Sequence, residues 1–155
     1  MNESMSGPEN VLLDRYFSEL LNKGEFAGAA EILSPDFVFF GPSISDGLGR
    51  DGFMRYIEEM RAAFSNKQFT ELERIVEGNR AAVRFRMTGT QDGQYRGLPA
   101  LGGSIDVEGC DLILVRSGKI AEVRAYFDLV AVIQKLLVPA PVRLFGELMG
   151  HLWAR

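Results

Sequence analysis

The chain has 155 residues, 46% of them hydrophobic, and a net charge of −4, which suits one domain with a sizeable core. One Cys and one His exclude an internal disulfide and a Cys/His metal site, and the sole histidine, His151, is a tail residue, so carboxylates and phenols without metal or cofactor are the expected chemistry. Mild acidity without a basic cluster argues against nucleic-acid binding; no secretory signal opens Met1–Asn10 and no apolar run is long enough for a bilayer, so the expectation is a soluble cytoplasmic protein without membrane contact.

In chain order, Ser6-Gly-Pro-Glu9 reads as a capping box with a first-turn proline. The helix behind it carries Val11, Leu12, Tyr16 and Leu20 at helical spacing and should stop near Asn22-Lys23-Gly24. A second, shorter helix is predicted over 25–33, ended by Ser34-Pro35. Phe37-Val38-Phe39-Phe40 is β-prone, 41–49 reads as a Gly- and Ser-rich loop, and 51–64 as a third helix on Phe53, Ile57, Met60 and Phe64. Period-two segments at 69–76, 81–90, 105–116 and 120–127 are separated by the turn pairs Gly78-Asn79, Asp92-Gly93 and Ser117-Gly118, predicting consecutive antiparallel strands. The third is long enough to bend, at Gly109. The glycine-rich stretch between Asp92 and Ser104 suits a pocket mouth. A terminal helix is expected over 129–137, and after Pro139-Ala-Pro141 an amphipathic piece over 142–153. The domain reading is therefore 1–138 followed by an extension, 139–155, packed over the pocket mouth or onto a second subunit. Helices followed by a meander imply an α+β fold, a curved antiparallel sheet wrapped around the first helices.

The residues at the joints of these elements carry a resemblance. Asp14-Arg-Tyr-Phe17, Ser34-Pro-Asp-Phe-Val38, Gly49-Arg-Asp-Gly-Phe53, Gly89-Thr90, Gly97-Leu-Pro99, Gly109-Cys-Asp111 and Ser117-Gly-Lys-Ile120 leading to Arg124-Ala-Tyr-Phe-Asp128 together resemble the nuclear transport factor 2-like superfamily. The likeness is to its SnoaL-like polyketide cyclase and ketosteroid isomerase branches and spans roughly 11–137. It implies a cone-shaped sheet of the cystatin-like α+β barrel kind. It also implies that Tyr16 and Asp111 occupy an oxyanion-binding pair and that Asp128 holds the essential carboxylate of the cyclases. The isomerase base position falls on Gly41, and the cyclase histidine positions on Phe40 and Gln91, so this chain departs from both patterns.

From the residues themselves, Gly109, Asp111, Ile113 and Val115 alternate on one strand face. Either that face is inside, and burial raises the Asp111 carboxyl so that it donates a hydrogen bond, or Leu112 and Leu114 are inside and Asp111 is exposed. Ketosteroid isomerase is the type case for a carboxyl kept neutral in this way. Tyr16 shares a stripe with Leu12 and Leu20, as a ligand-facing phenol or as a core tyrosine. Strand parity turns Asp128 outward with Glu122, Arg124 and Tyr126, and the residue precedes a helix where Asp is a good N-cap; capping and catalysis can coexist. The expected pocket lining is Phe40, Tyr56, Phe85, Met87 and Phe127.

Two functions follow. The first is an isomerase or cyclase acting on an apolar carbonyl compound through an enol or enolate, with Asp128 moving the proton and Tyr16 and Asp111 stabilising the oxygen. The second is a non-catalytic small-molecule binding or dimerisation module. A third, epoxide hydrolysis, ranks last because parity turns Arg84 and Arg86 away from the pocket. The expected partners are an apolar small molecule and a second copy in a homodimer.

Overall fold

The computed structural model describes residues 7–137; position 6, expected as a capping serine, and the extension over 139–155 lie outside them, and the N-cap of the first helix is Gly7. The order of elements is α1 (Pro8–Arg15), a π-helical continuation (Tyr16–Lys23), a 3₁₀ turn (Phe26–Gly28), α2 (Ala29–Ile32), β1 (Leu33–Gly41), β2 (Ile44–Leu48), α3 (Arg50–Ala63), β3 (Gln68–Glu77), β4 (Arg80–Thr90), β5 (Ser104–Arg116), β6 (Lys119–Phe127) and α4 (Leu129–Leu137). One six-stranded sheet runs β2-β1-β6-β5-β4-β3. The predicted meander is its β3–β6 part, four of the six strands; β1 joins β6 in parallel, so the sheet is mixed rather than antiparallel throughout as expected. The sheet is curved and unclosed, and the fold is α+β.

Two elements depart from expectation. The second helix shrinks to a 3₁₀ turn and four α-helical residues, because β1 already begins at Leu33. Part of the expected loop is an edge strand, β2, hydrogen-bonded to β1 with Phe39 opposite Leu48. Its sequence, Ile-Ser-Asp-Gly-Leu, lacks the alternation of a strand with one buried face.

Helix α1 and its π-helical continuation occupy the concave side of the sheet, burying Leu12, Leu13, Tyr16, Phe17, Leu20 and Leu21. The carbonyl of Leu21, near the end of that rod, accepts a hydrogen bond from the buried Lys67 ammonium, which also stands 5.2 Å over the Phe69 ring. This satisfies one of the carbonyls a helix end leaves open. Helix α3 packs on β1 and sends Phe53 into the core, stacked on Tyr16 (centroids 6.1 Å apart, 13° between planes) and 5.0 Å from Phe39.

Candidate active site

The wall of the site is set by strand register. In an antiparallel sheet, residues opposite one another share a face. Val83, Asp111 and Ala125 form one such row across β4, β5 and β6, and Phe85, Gly109 and Phe127 form the next. Val83, Ala125 and Ile113 are buried, so this face is the inner one and Asp111 points inward. Gly109 has its own steric reason. A Cβ there would stand 2.6 Å from Phe85 Cζ and 2.8 Å from the Tyr126 carbonyl oxygen, so only glycine lets the Phe85 ring lie across β5.

These rows, together with the π-helical stretch, α3 and the segment after β4, enclose a cavity of about 40 Å³. Its lining is largely Phe, Leu, Ile, Val and Met, and among the described residues the polar-headed lining groups are Tyr16, Tyr56, Tyr95 and Asp111. Asp111 is only 3% exposed. Burial alone pushes its carboxyl up to about 8, because the charged form loses its hydration and gains no cation. The Tyr16 hydroxyl is fully buried with no hydrogen-bond partner, and burial followed by the nearby Asp111 charge raises it well above the ordinary phenol value. Leaving a buried hydroxyl unsatisfied costs about 1–3 kcal/mol.

The structure therefore brings Tyr16 and Asp111 together and adds Tyr56, Phe85, Met87 and Phe127 to the same lining. It does not bring Phe40 or Asp128 there. The Phe37–Phe40 run gives no parity signal, and the structure settles it: Phe37 and Phe39 are buried, while Phe40 faces the other way with the Arg124 guanidinium 4.1 Å above its ring. Asp128 is exposed just beyond β6 and accepts a hydrogen bond from the Ala131 backbone N–H (2.9 Å). It is the N-cap of α4, as strand parity and cap preference together require. Arg84 and Arg86 lie outside, paired with Glu73 and Glu108 and with Asp106.

Sequence reasoning missed Tyr95. It is carried by a tight turn in which Tyr95 and Leu98 exchange backbone hydrogen bonds (3.0 and 2.8 Å) and Arg96 and Gly97 have φ of 47° and 82°. Two positive values in succession define a type I′ geometry, which favours glycine at the second place. The turn is held from beneath by Gln91, fully buried, whose Nε2 donates to the Pro99 carbonyl (3.0 Å). The Arg96-Gly97 pair was the available signal.

The sequence profile of the SnoaL-like polyketide cyclase family matches residues 11–136. Comparison with curated proteins finds no match. Among solved structures, a candidate SnoaL-like polyketide cyclase from Jannaschia sp. CCS1 is 24% identical over 90% of this chain and 99% of that one, at a TM-score of 0.77. TsrD from Streptomyces laurentii is 23% identical over 87% and 98%, at 0.75. IdmH, a candidate polyketide cyclase from Streptomyces antibioticus, is 22% identical over 84% and 99%, at 0.72. At these identities the likeness establishes a shared fold.

Proposed function

The chain belongs to the SnoaL-like polyketide cyclase family, and on that premise we propose that it is an isomerase or cyclase that activates an apolar carbonyl compound through hydrogen bonds from Tyr16 and Asp111. One observation carries the reading: an unpartnered phenol beside a buried, uncompensated carboxyl in a largely apolar cavity. Both groups are neutral below pH 8 and donate to an oxygen whose negative charge grows as the carbonyl becomes an enolate or is attacked. In a water-poor cavity such donors are worth more than in solution.

A proton inventory can be closed with Asp111 alone. In an intramolecular ring closure, the enol carbon forms a bond to the carbonyl carbon, the carbonyl π bond breaks toward oxygen, and Asp111 gives its proton to that oxygen. The enol hydroxyl, now becoming a carbonyl, returns a proton to Asp111. Substrate and product are isomers, and a carboxyl titrating near neutrality suits both halves. Asp128, occupied as a helix cap outside the cavity, takes no part in this scheme.

The cavity is smaller than the roughly 150 Å³ in which a benzene-sized ligand sits, so binding displaces flexible lining such as Met60 and Met87. Naphthol, titrated by fluorescence, tests the reading. Tyr16→Phe and Asp111→Ala should each weaken its binding about tenfold or more, the equivalent of about 1.4 kcal/mol; unchanged affinity in both variants overturns the proposal.

A second reading, a binding module without turnover, is favoured by one fact: among the described residues Asp111 is the only carboxyl on the lining. Exchange of the α-hydrogens of benzoylacetone with D₂O separates the two. A catalyst accelerates it in an Asp111-dependent way, and a binding module does not.

A further inference from the structure

The aromatic lining is mostly phenylalanine: Phe39, Phe53, Phe64, Phe69, Phe85 and Phe127. Where shape alone matters, phenylalanine fills such space without the cost of desolvating a hydroxyl. Tyrosine replaces it at three places, and two of these, Tyr56 and Tyr95, have no part in the scheme above. They come from different elements than Tyr16 and Asp111, Tyr56 from α3 and Tyr95 from the turn after β4.

Each is fixed by its neighbours. The Tyr56 ring packs on Phe39 (5.4 Å) and the Tyr95 ring on Phe64 (5.3 Å, 65°). Arg96 lies with its guanidinium carbon 5.9 Å from the Tyr95 ring centroid. Burial raises the hydroxyls of Tyr56 and Tyr95 above the ordinary phenol value, and both residues line the same cavity as Tyr16 and Asp111.

We infer that Tyr56 and Tyr95 form a second oxygen-recognition pole, so that the ligand is a flat apolar molecule with two oxygen functions, one held by Tyr16 and Asp111 and the other by Tyr56 and Tyr95. This rests on the reading of the Tyr16–Asp111 site given above and adds the substrate's substitution pattern. Tyr56 and Tyr95 are specificity-determining residues: they discriminate a dioxygenated ligand from its mono-oxygenated analogue, because a site built to bond a hydroxyl leaves its own polar groups unpaired when that hydroxyl is missing.

The test uses the full chain with two probes, naphthol and a set of dihydroxynaphthalenes, titrated against wild type, Tyr56→Phe, Tyr95→Phe and the double variant. Thermal midpoints are recorded to confirm folding. Wild type should bind at least one diol tenfold or more tighter than naphthol, and each substitution should reduce that preference, read as the ratio of the two affinities within each variant, to about threefold or less. Equal binding of naphthol and every diol by wild type, or a preference that survives in the double variant, overturns the second pole and leaves the first intact. Failure of wild type to bind either probe overturns both.

Discussion

Tyr16 and Asp111 are expensive residues for the fold to keep, and their cost is measurable. Removing an unpartnered hydroxyl removes its desolvation penalty, so Tyr16→Phe should leave the thermal midpoint unchanged or raise it, while weakening naphthol. A fall of several degrees would mark Tyr16 as an ordinary structural tyrosine. Asp111 has a folded-state value raised to about 8 against about 3.9 when unfolded. The native state therefore holds the extra proton, and the stability this group supplies is complete below about pH 4 and lost as pH rises through 8. Asp111→Asn abolishes that loss. The variant should be more stable than wild type at pH 8.5 and gain little at pH 5, by urea denaturation at both. That Asp111 faces inward was legible as one of two options, since alternation fixes which residues share a face but not which face is buried. The Phe37–Phe40 run offered no alternation at all, and Phe40 was accordingly misassigned.

At the scale of elements, the end of β6 and the turn after β4 decide what reaches the cavity. Asp128→Ala should cost about 1 kcal/mol of stability through loss of the α4 cap, with naphthol affinity unaltered; a loss of affinity without loss of stability would return Asp128 to the site. The β4–β5 connection depends on Gln91. With both its backbone groups bonded to 102–103 and its side chain to Pro99, it closes the segment that carries Tyr95. Gln91→Ala should accelerate amide exchange at Leu98 and Gly102, and unchanged protection there would remove it as the support of the turn. Strands β4–β6 and helix α4 were readable from period and turn pairs, because each has one wet and one dry face, and β3, in which Phe69 alone is buried, was readable from its turn into β4. Edge strand β2 was not, since none of its five residues is fully buried and its sequence carries no alternation. The short α2 was overread because the chain's need to start β1 at Leu33 is a tertiary constraint absent from local spacing.

For the whole molecule, the buried carboxyl of Asp111 and the buried ammonium of Lys67 pull stability in opposite senses. Lys67, lowered to about 8 by burial, leaves the unfolded chain holding more protons between 8 and its ordinary value, so stability contributed here rises with pH above 8. Asp36, Asp92 and Asp106, held low by Ser34, Ser65 and Arg86 respectively, supply stability that is lost on acidification below about pH 4. The sum places the stability maximum on the acid side, near pH 5, and a dip near pH 8; denaturation midpoints at pH 3, 5, 8 and 9.5 check it, and a flat profile from 5 to 8 contradicts it. The middle of the sheet has a consequence in time. Strand β1 pairs in parallel with β6, and Lys119 reaches back to the Ala30 carbonyl across 89 residues. Closing so long a loop is slow and comes late. On a ribosome, α1, its π-helical extension and α3 emerge well before their last supporting strand. The aromatic side chains that later line the cavity are then exposed to water, and a nascent chain halted before Lys119 has nowhere to bury them. Such an arrested chain should aggregate or be held by a chaperone, whereas one extended through Leu137 should be released.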